Sequence, residues 1–347
     1  MEKMVKLDFY NGKNVFVTGH TGFKGSWLCK ALIMSGAKVT GYALEAGEPS
    51  LFKRENIENG MTSIIGDIRN KEELQKAMQD AKPEIVFHLA AQPIVRDSYK
   101  EPVYTYETNV MGTVNILEAL RITNSVKSFI NVTTDKVYLN EEREQGYTED
   151  ERLCGFDPYS NSKSCSELVT YSYKNSFFIE GKVSISTARS GNVIGGGDFA
   201  NDRIIPDCIR AAESKMPITV RNPHSTRPYQ HVLECLSGYL LLAERQYNDI
   251  KYAGCYNFGP NDDSCVTTGE LVSIFCNSWE NGQEWIDKAD GGPHEANFLK
   301  LDCGKAKEIL NWKPYWNIRD AVEKTVKYAK GIESMEEQIC QYFGGSK

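Results

Sequence analysis

The sequence predicts a doubly wound α/β fold, and three observations carry that prediction. Short apolar runs alternate with helix-length amphipathic segments through roughly the first 190 residues. The first run, Asn14 to Thr18, passes directly into Gly19-x-x-Gly22-x-x-Gly25 and then into a helical apolar pattern at Trp27, Leu28, Ala31 and Leu32. Later runs such as Ile85-Val86-Phe87 are continuously apolar, as strands covered on both faces of a parallel sheet must be.

The elements follow in order. Strand, glycine loop and helix together form the turn that a dinucleotide needs, because the glycines let backbone N–H groups approach a pyrophosphate at a helix N-terminus. Lys24, inside that loop, either touches phosphate or is solvated. Lys38 to Leu44 reads as the second strand, ending at Glu45, about 20 residues past the last glycine. A carboxylate there holds adenine ribose hydroxyls, unless it is a solvated loop residue. With no Arg at that strand end, NAD is favoured over NADP. Met61 to Gly66 is a third strand, closed by Asp67 and Ile68; Asp67 either meets the adenine amino group or caps the helix starting near Lys71. Ile85 to Leu89 is the fourth strand and opens onto Ala90-Ala91-Gln92-Pro93, small enough for a cofactor to lie on the backbone. His88 reads as a satisfied core residue.

Val103 to Thr123 reads as one long amphipathic helix, Val126 to Thr133 as the fifth strand, Tyr159 to Phe178 as a second long helix and Val183 to Arg189 as the sixth strand. Past a glycine-rich loop, Gly191 to Asp198, the pattern predicts a helix from Ile204 to Ser214, a polar loop from Arg221 to Val232, a helix from Val232 to Tyr247 and a strand from Cys255 to Phe258. The tail from Thr268 reads as mostly helical, ending near Ile332. Residues 1–190, with 232–258 returning to them, are expected to bind the nucleotide cofactor; 191–231 and 259–347 are expected to form the substrate part. No repeat or linker interrupts them.

Composition narrows the function. The net charge of −7 over 347 residues, without a basic run, argues against nucleic acid. No stretch is apolar enough to span a membrane and the first residues lack a signal-peptide core, so a cytoplasmic protein is expected. Ten scattered Cys and five dispersed His suit reduced thiols and no metal site.

The chemistry concentrates between Asn131 and Lys163. Tyr159 and Lys163 stand four apart, on one face of a helix whose first turn accepts Pro158. A free phenol has a pKa of about 10, so a Tyr acting as base near neutrality needs it lowered by about 3, or about 4 kcal/mol. An ammonium one turn away supplies part of this and a cationic nicotinamide the rest. The pair then takes a hydroxyl proton while hydride leaves the same carbon. In the polar loop, Arg221 and Arg227 suit a diphosphate, since guanidinium grips phosphate as a fork.

Taken together, Gly19-x-x-Gly22-x-x-Gly25, Asp67, His88-Leu89-Ala90-Ala91, Asn109, Thr134, Tyr159-x-x-x-Lys163 and Arg189-x-x-Asn192-Val193 resemble the extended short-chain dehydrogenase/reductase family over nearly the whole chain. The resemblance implies a Rossmann-type doubly wound parallel sheet with a smaller, mixed α/β C-terminal substrate-binding domain. It also implies bound NAD, contacted by Gly19, Thr21, Gly22, Phe23, Lys24, Gly25, Glu45, Asp67, Ile68, Leu89, Ala90, Ala91, Gln92 and Thr108 as well as by Tyr159 and Lys163. The chain is most similar to the family's sugar-nucleotide 4,6-dehydratases, through Ala90 to Arg96, Thr134-Asp135-Lys136, Asp157 to Lys163, Gly191 to Asp198, Arg227 to His231, and His294-Glu295-Ala296 with Leu299 to Asp302. That implies CDP-glucose as substrate, held by Arg96, Asn192, Arg203, Arg221, Arg227, His231 and His294.

The implied reaction oxidises sugar carbon 4, with Tyr159 as base helped by Lys163 and Thr134. It then eliminates water across carbons 5 and 6 and returns the hydride to carbon 6. Elimination needs an acid and a base. Related dehydratases carry an Asp-Glu pair after the Thr; here Asp135 and Lys136 stand there, with roles divided, shared or exchanged. A 4-epimerase shares Tyr and Lys but needs no such pair. The two long helices resemble those that pair in the family's homodimers.

Overall fold

The computed structural model describes residues 6–179, 181–288 and 298–344. Seven parallel strands form its central sheet: β1 (Asn14–Thr18), β2 (Lys38–Ala43), β3 (Thr62–Ile65), β4 (Ile85–His88), β5 (Ser128–Val132), β6 (Ser184–Ser190) and β7 (Cys255–Phe258). Their spatial order is β7-β6-β5-β4-β1-β2-β3. Every residue of β4, β5 and β6 is buried, including polar ones such as Asn131 and Arg189, as in a parallel sheet covered on both faces.

The order reverses between β1 and β4, which pair with Thr18 opposite His88. At such a switch point the connections diverge to opposite faces and leave a crevice beyond the strands' C-terminal ends. On one face, Trp27, Leu28 and Leu32 of the Phe23–Met34 helix pack with Leu236, Leu240 and Leu241 of the Val232–Asn248 helix. On the other, Leu74 and Met78 pack with Ile116, Leu117 and Leu120. A third core, including Ile205, Cys208, Leu271, Phe275 and Val322, lies in the part that follows β6. The chain leaves the sheet after Ser190, returns through the Val232–Asn248 helix to lay β7 beside β6, with Cys255 opposite Thr187, and leaves again.

Three expectations need correction. The helix expected from Val103 to Thr123 runs over 102–122 and contains a π-helical turn, Glu107–Met111, which turns the Thr108 and Asn109 side chains inward. The tail does not end near Ile332: Met335–Phe343 is a helix, opened by a Ser334/Glu337 capping box and closed by Gly344 at φ 82°. The tail also holds a strand, Trp285–Asp287, paired with Ile218–Val220. Among the described residues no helix is long and apolar enough to cross a membrane.

Candidate active site

The crevice opens into a cleft of about 1590 Å³. That exceeds the roughly 300–1,000 Å³ of a single-ligand site and leaves room for a dinucleotide beside a second nucleotide. Its first wall is the glycine loop. Gly19 has φ +76°, and a Cβ there would meet the Ala90 nitrogen at 2.8 Å; a Cβ on Gly25 would meet the Gly19 carbonyl oxygen at 2.1 Å. The loop therefore closes against the β4 end and against itself, while Gly22, at the N-cap of the Phe23–Met34 helix, stays exposed. Thr21 Oγ1 donates to the Leu44 carbonyl, 2.9 Å, and ties the loop to the β2 end. Thr108 lines the cleft with a buried hydroxyl that has no hydrogen-bond partner among the described residues. A tight glycine cradle and a spare polar atom fit a dinucleotide.

The second wall carries the residues that the sequence singles out for the chemistry. Beyond β5, Thr134 caps a single 3₁₀ turn, Asp135–Val137. The Pro158–Phe177 helix, capped by Asp157 Oδ1 accepting from the Ser160 N–H at 2.9 Å, sets Tyr159 and Lys163 against it. Lys163 is 4% exposed and donates to the Val132 carbonyl at 3.1 Å. Burial, the Lys24 charge and the opposing pull of Glu167 leave its pKa lowered to about 8. Burial pushes the Tyr159 phenol up to about 12, and the Thr134 hydroxyl offsets only part of this. The protein alone therefore makes the Tyr159 phenol harder to ionise near neutrality than a phenol in water. The lowering that catalysis needs must come from charge brought into the cleft.

Beneath this wall lies a buried network. Arg189 grips Glu167 through Nε and Nη2, at 2.8 and 2.9 Å, and reaches Tyr138 Oη at 2.8 Å. Thr133 Oγ1 donates to the same Glu167. Glu167 thus joins the β5 end to the helix one turn below Lys163. The i+4 spacing from Lys163 was the available sequence signal, and sequence reasoning missed it.

Thr134, Lys136, Tyr159 and Lys163 all line the cleft, but Asp135 does not. Asp135 is fully buried; Oδ1 accepts from Thr134 Oγ1 at 3.0 Å and from Lys136 Nζ at 3.3 Å, and Oδ2 faces Gly191, where a Cβ would sit 3.0 Å away. A direct acid role for Asp135 does not suit that position. The tight turn after β5 points it inward while Lys136 faces the cleft.

On the cofactor side, Gly19, Thr21, Gly22, Phe23, Lys24, Gly25, Asp67, Ile68, Leu89, Ala90 and Ala91 line the cleft. Asp67 is gripped by Arg69, with Nη2 at 2.7 Å, and this bond holds its carboxyl below the usual range. Two of the expected residues lie off the lining. Glu45 is exposed and lies off the lining, although Leu44 before it and Gly47 after it line the cleft. Gln92 also lies off the lining; its amide is spent on the Ile94 carbonyl and Thr105 Oγ1, bracing the loop.

On the substrate side, Arg96, Asn192, Arg203, Arg221 and Arg227 line the cleft. Arg203 pairs with Asp198 at 3.0 Å and Arg221 with Asp202 at 2.7 Å. His231 is a correction: it is fully buried, caps the Val232–Asn248 helix through Nδ1, and packs edge-on between Trp27 and Trp316. His294 lies outside the described residues. Sequence reasoning missed Ser190, Phe199, Tyr229, Thr268 and Leu299, which also line the cleft; loop residues of this kind carry no periodic signal. His88 is held between Thr18 and Thr113 hydroxyls, with burial lowering its pKa to about 3.

Comparison with known proteins adds to this geometry. The sequence pattern of the GDP-mannose 4,6 dehydratase family matches residues 16–325. CDP-glucose 4,6-dehydratase of Salmonella typhimurium is 47% identical, covering 97% of this chain and 96% of its own. Among solved structures, UDP-glucuronic acid 4-epimerase of Bacillus cereus in complex with UDP-glucuronic acid and NAD superposes with a TM-score of 0.79 at 25% identity, covering 92% and 99% of the two chains. dTDP-glucose 4,6-dehydratase of Bacillus anthracis in complex with NAD gives 0.77 at 20% identity, covering 94% and 100%.

Proposed function

This chain belongs to the GDP-mannose 4,6 dehydratase family, and from that we infer that it converts CDP-glucose to CDP-4-dehydro-6-deoxyglucose and water. The observation that carries this is the 47% identity with a CDP-glucose 4,6-dehydratase across almost the full length of both proteins. NAD, when bound, accepts a hydride from sugar carbon 4 and returns it to carbon 6, so the net reaction is a dehydration.

We assign the residues as follows. The glycine loop and the Thr108 hydroxyl hold the cofactor. Tyr159, drawn on by Thr134, takes the carbon 4 hydroxyl proton, and Lys163 supports the phenolate. Elimination moves one proton from carbon 5 to the hydroxyl leaving carbon 6. Lys136, facing the cleft, is placed to carry it; buried Asp135 fixes Lys136 and Thr134 and so is a positioning residue. Arg203 and Arg221 offer guanidinium groups to the substrate diphosphate.

We further propose a homodimer formed through the two long helices. It is supported by apolar side chains left on their outer faces, Val103 at 69%, Leu168 at 54% and Tyr171 at 68% exposure. A cytoplasmic location follows the expectation from composition, and a product used for surface-polysaccharide deoxysugars rests on resemblance.

The test is a substrate panel. Purified protein meets CDP-, dTDP- and UDP-glucose and GDP-mannose, with and without added NAD, and products are weighed by mass spectrometry. Loss of one water from CDP-glucose is expected. Loss from another nucleotide instead would overturn the substrate but keep the mechanism, and an isomeric sugar without water loss would replace the dehydratase by an epimerase.

A further inference from the structure

Lys24 is the second residue of the Phe23–Met34 helix, in the turn where the positive end of the helix dipole repels a cation, and no acidic residue accompanies it there. Its side chain does not turn to solvent. It is half-buried, lines the cleft, and donates from Nζ to Ser190 Oγ at 3.0 Å. Ser190 Oγ is in turn 2.6 Å from Tyr239 Oη. Among the described residues no carboxylate pairs with Lys24, whereas Lys136, Arg203 and Arg221 each have one. Burial pushes its pKa down, and Arg203 and Lys136 add to that push against the pull of Cys235 and Asp135. Dipole, burial and like charge all oppose an ammonium here. A group held against so many opposing effects points to function rather than stability.

Its place suggests which function. Ser190 ends β6, the neighbour of β5, and β5 leads to Thr134. The amine therefore lies on the cleft floor, between the glycine loop that cradles a diphosphate and the Tyr159–Lys163 face where a hydroxyl is oxidised. Lys24 is also the leading charged influence that lowers the Lys163 pKa. A hydride can reach the cofactor only if the nicotinamide ring comes to this end of the cleft.

We propose that Lys24 poises bound NAD toward its reduced form. This rests on the reading that NAD is the cofactor. The oxidised nicotinamide ring is cationic and the reduced ring is neutral, so a fixed ammonium nearby disfavours only the oxidised form. At carbon 4 the C–H electron pair leaves as hydride to the ring while the hydroxyl proton goes to Tyr159; the hydride later returns to carbon 6, and no outside oxidant is needed. The reduced ring must persist through the elimination, and Lys24 favours it during that interval. Contact with the diphosphate would stabilise both forms equally and leave their ratio unchanged.

The experiment reads that ratio directly. Wild type, Lys24→Met, Lys24→Gln and Lys24→Arg are equilibrated with mixed NAD and NADH, freed of unbound cofactor and denatured, and the released forms are measured. The bound NADH-to-NAD ratio should fall about tenfold in both neutral variants and be kept by Lys24→Arg. Two neutral side chains of different polarity are used so that one that fails to fold leaves the other. An unchanged ratio overturns the proposal, even if affinity for both forms drops together. Uptake of neither form by wild type would instead overturn the NAD reading.

Discussion

The two sides of the cleft handle charge in opposite ways. On the substrate side three cations each face a carboxylate of their own chain: Lys136 with Asp135, Arg203 with Asp198, Arg221 with Asp202. On the cofactor side, among the described residues, Lys24 and Lys163 are held by neutral oxygens, Ser190 Oγ and the Val132 carbonyl. The first arrangement must exchange carboxylate for phosphate on binding. In the second an incoming anion or phenolate supplies the missing counter-charge. Catalytic groups sit in the second kind of setting because a group already satisfied by the protein has little to offer a transition state.

Lys136 tests this division most severely, since it is a paired cation to which we give a chemical task. Lys136→Ala should lower turnover about 100-fold or more. Oxidation at carbon 4 should survive, so adding CDP-glucose should leave reduced cofactor visible by its near-ultraviolet absorbance, with no water lost. Turnover within about twofold of wild type would return Lys136 to a surface role.

Lys163 tests the unpaired side through stability. Its pKa is lowered to about 8 in the folded protein, against about 10.4 in an unfolded chain. Between those values the unfolded chain keeps a proton that the folded chain has released, so stability rises with pH across that window. Below about pH 8 the buried charge costs about 3 kcal/mol, and above about 10.4 it costs nothing. Lys163→Met should therefore abolish turnover yet stabilise the protein at pH 7, by about 2 kcal/mol once the lost bond to Val132 is counted. That gain should disappear by about pH 10.4. Denaturant midpoints at the two pH values check this; a variant less stable at pH 7 would mean that Lys163 is compensated after all.

The two sides also differed in how legibly the sequence announced them. The sheet, the glycine loop and Tyr159–Lys163 depend on backbone patterns of fixed spacing, and those spacings are visible in one chain. Glu45 and Gln92 lie off the lining because a side chain turned to solvent, or an amide turning back on its loop, leaves a surface without changing any pattern. His231 and Asp135 show the same limit. Each follows a recognisable motif, but whether the side chain faces the cleft or the core is decided by packing from distant elements, such as Trp316 against His231 and Gly191 over Asp135. The π turn that presents Thr108 is likewise set by tertiary contact, since Asn109 bonds to the Gln92 backbone and Ser162.

Arg203 sharpens the comparison on the paired side. If it exchanges Asp198 for substrate phosphate, Arg203→Ala should raise KM about tenfold with kcat within about twofold, the mark of binding lost equally from ground and transition states. Asp198→Asn removes the competitor and should lower KM about two- to threefold. A fall in kcat instead would move Arg203 into the reacting group.

The smallest effect concerns the two helix N-termini that face this one cleft. The Pro158–Phe177 helix carries Asp157 at its cap, so its positive end is answered by a carboxylate within the protein. The Phe23–Met34 helix carries Lys24 in its first turn and is left unanswered. Asp157→Ala should cost about 1 kcal/mol, the ordinary loss of a capping side chain. It should lower Tm by roughly 1–3 °C in a chain of this size. Turnover should fall less than threefold, because Tyr159 and Lys163 are positioned by burial against Thr134 and Val132 rather than by the cap. A large loss of turnover with unchanged Tm would reverse that order. Asp157 would then belong to the chemistry rather than to the cap.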